Sequence, residues 1–200
     1  MSERIIGLTG LYCAGKNHVA EILVKKGFAV LDVDKLGHTV IEMEQTAIVE
    51  RFGRGIMERG RVNRRLLGEK VFGRPTELAA LEAIIHPRVN TLIEDWAARN
   101  ENCVVNAALL HRTSIFPRLD AVLVVKSPLF VRLIRAKRRD RLPWFSIIRR
   151  FRSQNFSFPF KLLYKDAENK RGIYIINNAG RKLEKRINKV VEKLNCILSL

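Results

Sequence analysis

Residues 5–20 read IIGLTGLYCAGKNHVA, and three local signals follow one another within them. An apolar, β-rich run breaks at Gly10. Gly10 and Gly15 then frame a loop of the form G-x-x-x-x-G-K, and after Lys16 the apolar residues Val19, Ile22 and Leu23 recur at helical spacing. Strand, glycine-framed loop and helix in that order make a phosphate cradle. Glycine lets backbone N–H groups curl around phosphate oxygens, the helix N-terminus adds a favourable dipole, and the lysine supplies a point charge for the β- and γ-phosphates. The candidate nucleotide-binding residues are Gly10, Leu11, Tyr12, Cys13, Ala14, Gly15, Lys16, Asn17 and His18. Asn17 stands where this motif uses a serine or threonine hydroxyl on Mg²⁺, so its amide oxygen is a weak candidate metal ligand.

Working outward, Gly27 closes the first helix, and residues 28–33 read as a second apolar strand ending at Asp34. A carboxylate at that strand end can accept a proton from a substrate hydroxyl; the competing assignment, for Asp32 as for Asp34, is a turn or a helix cap. Helical pattern then runs from about residue 34 to 100, with Pro75 and Pro87 as helix starts or breaks. Residues 103–110 and 119–125 read as buried strands, 128–140 as a helix, 174–176 as a last short strand and 183–198 as a last helix. Strands alternating with helices predict an α/β fold with a central parallel sheet, whose site lies at the strand C-terminal ends.

Two hundred residues at 47% hydrophobic suit one compact domain. Thirty-seven Lys and Arg against twenty Asp and Glu leave a net charge of +17, which attracts polyanions. Residues 128–171 hold thirteen basic and three acidic residues, a segment suited to handling phosphate. Nucleic acid is a weaker reading of the same charge, because basic residues interleaved with Trp144, Phe145 and other aromatics also serve to clasp polyphosphates. Phe156, Phe158 and Phe160 read as core packing in preference to a stacking surface. Cys13, Cys103 and Cys196 form no metal-ligand or disulfide pattern. Neither a signal-like segment nor a run of about 18 apolar residues is present, so the expected setting is the cytoplasm, with no membrane partner.

Beyond the cradle, "IIGLTGLYCAGKNHVA" resembles the opening of the dephospho-coenzyme A kinases, I-G-L-T-G-G-x-x-S-G-K-S-T-V, and "VLDVDKLGHTV" (30–40) resembles their D-A-D-x-x-x-H element. The likeness continues in order through "GRVNRRLLGEKVFGRP" (60–75), "LEAIIHPRV" (81–89), the lid-like "RAKRRDRLPWFSIIRRFRSQ" (135–154) and "IINNAG" (175–180). It implies a P-loop kinase domain spanning residues 1–200: a core of about 1–34, 100–140 and 172–200, a helical acceptor-binding insertion of about 35–99, and a basic helical lid of about 141–171. The implied reaction is ATP-dependent phosphorylation of the ribose 3′-hydroxyl of dephospho-coenzyme A, with ATP and Mg²⁺, by a monomer or weak homo-oligomer.

By position, the resemblance makes Asp34 the base, Lys16 the phosphate clamp and Arg139 a lid cation, with Arg135 and Asn178 on the nucleotide. It assigns Thr9, Asp34, His38, Arg64, His86 and Pro87 to the acceptor. Departures accompany it. The family's D-V-P-L-L-F-E is "NAALLHR" here, so Asn106 and Arg112 replace acidic residues, and Asn177 replaces the aspartate of I-D-N. Two other readings follow from these departures and the charge: a nucleotide-binding module with reduced catalysis, and a basic nucleic-acid-binding accessory protein.

Overall fold

A computed structural model describes residues 4–157, 172–180 and 182–197. Its strands are β1 (Arg4–Gly10), β2 (Ala29–Asp32), β3 (Met57–Glu58), β4 (Arg61–Val62), β5 (Asn102–Asn106), β6 (Ala121–Lys126) and β7 (Gly172–Asn177). Its helices are α1 (Lys16–Lys25), α2 (Val33–Met43), α3 (Gln45–Phe52), α4 (Arg64–Val71), α5 (Pro75–Ala97), α6 (Leu129–Asp140), α7 (Trp144–Ser157) and α8 (Leu183–Ile197).

Five strands make one parallel sheet in the order β2-β5-β1-β6-β7. Parallel pairing sends every strand C-terminus to the same edge: Asn106 sits opposite both Leu8 and Asp32, Gly10 opposite Val125, and Lys126 opposite Asn177. Both faces are covered, which is why β1, β5 and β6 read as unbroken apolar runs. Ile6, Leu8, Val104 and Leu123 pack with Val19 and Leu23 of α1 and Ile187 of α8. On the other face Ile5, Cys103, Val105 and Val122 pack with Val40 of α2 and Ile93 of α5. A separate cluster of Ile48, Phe52, Ile56, Leu67 and Leu81 holds together the segment between β2 and β5.

Local rules account for the boundaries near the cradle. After α1 the amide of Gly27 bonds to the Val24 carbonyl and that of Phe28 to the Leu23 carbonyl, with Gly27 at φ +87°, a Schellman ending that turns the chain into β2. Several expectations are corrected. The second strand stops at Asp32, whose carboxylate caps α2 by accepting from the Lys35 amide, so Asp34 lies in the first turn of a helix and not at a strand end. Val33, apolar and β-branched, hides that switch from a periodicity reading. The segment of about 34–100, predicted as dominated by helix, also contains the short antiparallel pair β3–β4. Pro87 neither starts nor breaks a helix but lies inside α5. The third main-sheet strand ends at Asn106, and a 3-10 turn follows at Leu110–Arg112. Residues 158–171, and the side chains of Phe156 and Cys196, lie outside the described residues, so the packing expected of the three phenylalanines does too.

Gly10 is where sheet and cradle meet. A Cβ there would lie 2.6 Å from the Val125 carbonyl oxygen and 3.0 Å from Val125 Cβ. Gly10→Ala is therefore expected to force β1 away from β6 and to lower stability by about 1–3 kcal/mol, read from thermal or denaturant unfolding. An unchanged midpoint would show that the strands yield freely at this point.

Candidate active site

The loop between β1 and α1 is shaped from below. Gly15 adopts φ +90°, and a Cβ on it would lie 2.0 Å from Asn178 Nδ2. That amide, buried at the end of β7, donates to the carbonyls of Ala14 (2.9 Å) and Gly15 (3.4 Å). Arg135 on α6 donates to the Ala14 carbonyl (3.1 Å) and the Asn178 carbonyl (3.2 Å). The loop's carbonyls are thus engaged on one side. No side chain caps the start of α1 and no acidic residue occupies its first turn, which leaves its amides for an anion.

A cavity of about 410 Å³ over this loop is lined by Gly10 through Asn17, Asp34, Ala108, Arg135 and Arg139. Lys16 Nζ, nearly buried, pairs with Asp34 Oδ2 at 3.0 Å across it. A second cavity of about 540 Å³ adjoins, lined by Asp34, Gly37, Phe72, Ile85, His86, Val89, Asn90, Ala108 and Arg112 among others. Asp34 and Ala108 border both, so the carboxylate stands at the junction of a cationic cavity and a more apolar one.

Asn106, almost fully buried at the end of β5, donates through Nδ2 to Asn17 Oδ1 at 3.4 Å, while its own Oδ1 has no partner among the described residues. Asn17, the weak candidate metal ligand, and Asn106, which stands where the family has an acidic residue, are therefore neighbours. Their donor set is two neutral amides, and no group of three or more His, Cys, Asp or Glu is assembled among the described residues. Such a set suits a hard cation that arrives on a polyphosphate and keeps its waters, because amide oxygens alone bind it weakly.

At the cavity's other rim, Asp140 gathers donors from separate elements: the Tyr12 hydroxyl, Arg139 Nε (2.7 Å) and Arg150 Nη1 (3.1 Å). Burial opposes the charge on Asp140, but hydrogen bonds from Arg139 and Tyr12 outweigh it and hold the carboxyl below its usual range. Its hydrogen bond in turn pushes the Arg139 guanidinium above its ordinary value. Burial, and then the neighbouring Asp140, push the Tyr12 phenol up, so it stays protonated and donates. Burial likewise pushes up the Cys13 thiol, which makes it a poor nucleophile.

Of the predicted positions, Lys16, Asp34, Arg135, Arg139, Asn17 and the rest of the cradle line the first cavity, and His86 lines the second. Others lie elsewhere. His18 faces out on α1 beside Glu21. Thr9 is buried, with Oγ1 donating to the Ala108 carbonyl. Asn178 supports the loop and is not among the cavity residues. His38, Arg64 and Pro87 are exposed and line neither cavity, although Gly37 next to His38 does. Sequence reading passed over Phe72, Asn90 and Ala108. It noted Arg112 only as a departure, yet Arg112 and Ala108 follow β5, and residues after a strand C-terminus belong to the site edge.

Residues 4–180 match the sequence model of the family described as dephospho-CoA kinase. The chain belongs to the dephospho-CoA kinase family. Among relatives, the dephospho-CoA kinase of Deinococcus radiodurans is 35% identical over 88% of this chain and 84% of its own length. That of Treponema pallidum is 31% identical over 98% and 94% respectively. A solved structure from Thermus thermophilus superposes with a TM-score of 0.80 at 30% identity, covering 99% of each chain. The dephospho-CoA kinase of Campylobacter jejuni shares the fold, with a TM-score of 0.62 at 21% identity. Membership favours a kinase over the two other readings of the sequence. No helix among the described residues is long and apolar enough to cross a membrane.

The Asp140 cluster gives a pH-dependent expectation. Its carboxyl is depressed in the folded protein, so its stabilisation is present above the ordinary carboxylate range and lost as pH falls through the folded value. Asp140→Asn is expected to cost about 1–3 kcal/mol at pH 7, and the gap between variant and wild type should close below about pH 4. A gap of constant size down to pH 3 would rule out this role for the charge.

Proposed function

We propose that the site transfers the γ-phosphoryl group of ATP to the ribose 3′-hydroxyl of dephospho-coenzyme A, giving coenzyme A in the last step of its synthesis. The observation that carries the reading is the position of Asp34: it borders both cavities and touches Lys16. On this reading the cradle amides and Lys16 hold the β- and γ-phosphates, and the more apolar cavity, with His86, Asn90 and Arg112, receives the acceptor. Asp34 releases Lys16 to the phosphates when ATP binds and then accepts the proton of the attacking hydroxyl. Arg135 and Arg139 offset negative charge that spreads over the transferring group, which is most of what such a reaction asks of a protein.

Mg²⁺ bound with ATP would neutralise phosphate charge, held on the protein side by the amide oxygens of Asn17 and Asn106. The family and the strongly basic composition fit a cytoplasmic enzyme, monomeric or weakly self-associating.

Incubation with ATP, Mg²⁺ and dephospho-coenzyme A should yield a product heavier by one phosphate at the ribose, identified by mass; absence of that product would overturn the reading. Asp34→Asn should lower kcat by about 10²-fold or more with ATP affinity nearly kept, whereas Asp32→Asn, which alters a cap, should act mainly on stability. Near-normal turnover in Asp34→Asn would remove the base assignment. Asn17→Ser with Asn106→Asp should shift half-maximal activity to lower Mg²⁺, with the two changes coupled because they act on one ion. Calorimetry without nucleotide should detect Mg²⁺ binding more readily in the double variant; identical titrations would separate these residues from the metal.

A further inference from the structure

Tyr12 is a bulky aromatic inside a loop whose family pattern leaves that position open, and it is fixed from several sides. Its carbonyl accepts from Arg132 Nε at 2.8 Å, and Arg132, itself buried on α6, stacks over the Phe151 ring at 4.7 Å. The Tyr12 ring meets Phe151 edge-on at 5.2 Å. Its hydroxyl donates to Asp140, and its face lies under the Arg139 guanidinium, with Cζ 5.1 Å from the ring centroid.

Arg139 is thereby held in two directions. Nε and Nη2 engage Asp140 at 2.7 and 3.5 Å, the ring supports the guanidinium plane, and the remaining N–H groups have no partner among the described residues at the rim of the cradle cavity. A free arginine side chain loses rotamer freedom on being fixed, and a charge meant for a developing phosphoryl is more effective if that ordering precedes the reaction. The Tyr12 proton also matters to the field. By donating to Asp140 it draws off part of a negative charge that would otherwise offset Arg139.

We propose that Tyr12 is a positioning residue: it ties the phosphate loop to α6 and presents Arg139 to the transferring phosphoryl group, so that loop and arginine act as one unit. This rests on the phosphoryl-transfer reading of the site. A role confined to structure would move the unfolding midpoint and leave turnover unchanged in the folded enzyme. Positioning predicts a different pattern.

The test is a double-mutant cycle in steady-state kinetics with ATP and dephospho-coenzyme A. Tyr12→Phe, which keeps the ring and removes the hydroxyl, is expected to lower kcat by about 10-fold with KM for ATP unchanged. Tyr12→Leu, which also removes the ring, should lose more, up to about 10²-fold. In an Arg139→Ala background the Tyr12→Phe change should have no further effect on kcat, because its route of action is gone. Asp140→Asn should behave in the same way toward Arg139 and stands in for Tyr12→Leu if that variant does not fold. An unchanged kcat in Tyr12→Phe, an equal loss with and without Arg139, or a loss appearing only as a raised KM for ATP would overturn the proposal while the wild type remained active. An inactive wild type would overturn the functional reading, and this proposal with it.

Discussion

The hydrogen bond from the Asn178 amide to the Ala14 carbonyl is the constraint on which the site rests. It reaches from the end of one sheet strand to the loop that leaves another, two strands away in the sheet. By engaging loop carbonyls from beneath, it leaves the amides at the start of α1 to face a ligand. It also explains the second cradle glycine in steric terms: with Asn178 at 2.0 Å from where a Cβ would be, no side chain fits, and φ +90° is a conformation that L residues rarely adopt. Arg135 repeats the arrangement from α6, bonding to the same Ala14 carbonyl and to the backbone of Asn178 itself. Loop, last strand and basic helix are thus joined at one carbonyl.

Parallel pairing then decides what shares this edge. Because Asn106 is opposite both Leu8 and Asp32, the residues just past those strand ends, Asp34 and Ala108, come to the loop without any sequence proximity to it. The Lys16–Asp34 pair is a consequence of that register. The same ammonium cannot hold both Asp34 and an anion in the loop at full strength, so on the proposed reading polyphosphate entry would loosen the carboxylate and leave it to a hydroxyl from the neighbouring cavity.

Much of this was legible in the residues, and the failures have physical causes. The cradle, its helix and the Gly27 ending rest on backbone rules that act over a few positions, and the structure follows them. Asp34 was assigned to a strand because Val33 continues an apolar run; the Asp32 cap that starts the helix is a side-chain event that periodicity does not register. Asn178 was linked to the nucleotide, whereas its amide is spent on the loop. Arg112 and Asn90 reach the second cavity only through the packing of α5 against the turn after β5, and tertiary contacts of that kind leave no local pattern.

The paired amides Asn17 and Asn106 make sense once burial is considered. A carboxylate at position 106, almost wholly buried and facing an amide, would be an uncompensated charge whenever no cation was present, and such charges cost several kcal/mol after relaxation. An asparagine removes that cost and keeps a neutral oxygen at the same place. The Oδ1 of Asn106 has no partner among the described residues. On the proposed phosphoryl-transfer reading a cation would arrive with the phosphates, and Lys16, Arg135 and Arg139 would offset part of the triphosphate charge. On that reading the basic residues lining the cradle cavity and the neutral amides of Asn17 and Asn106 would be one adjustment, with positive charge fixed in the protein taking over part of what a protein-bound metal would otherwise supply.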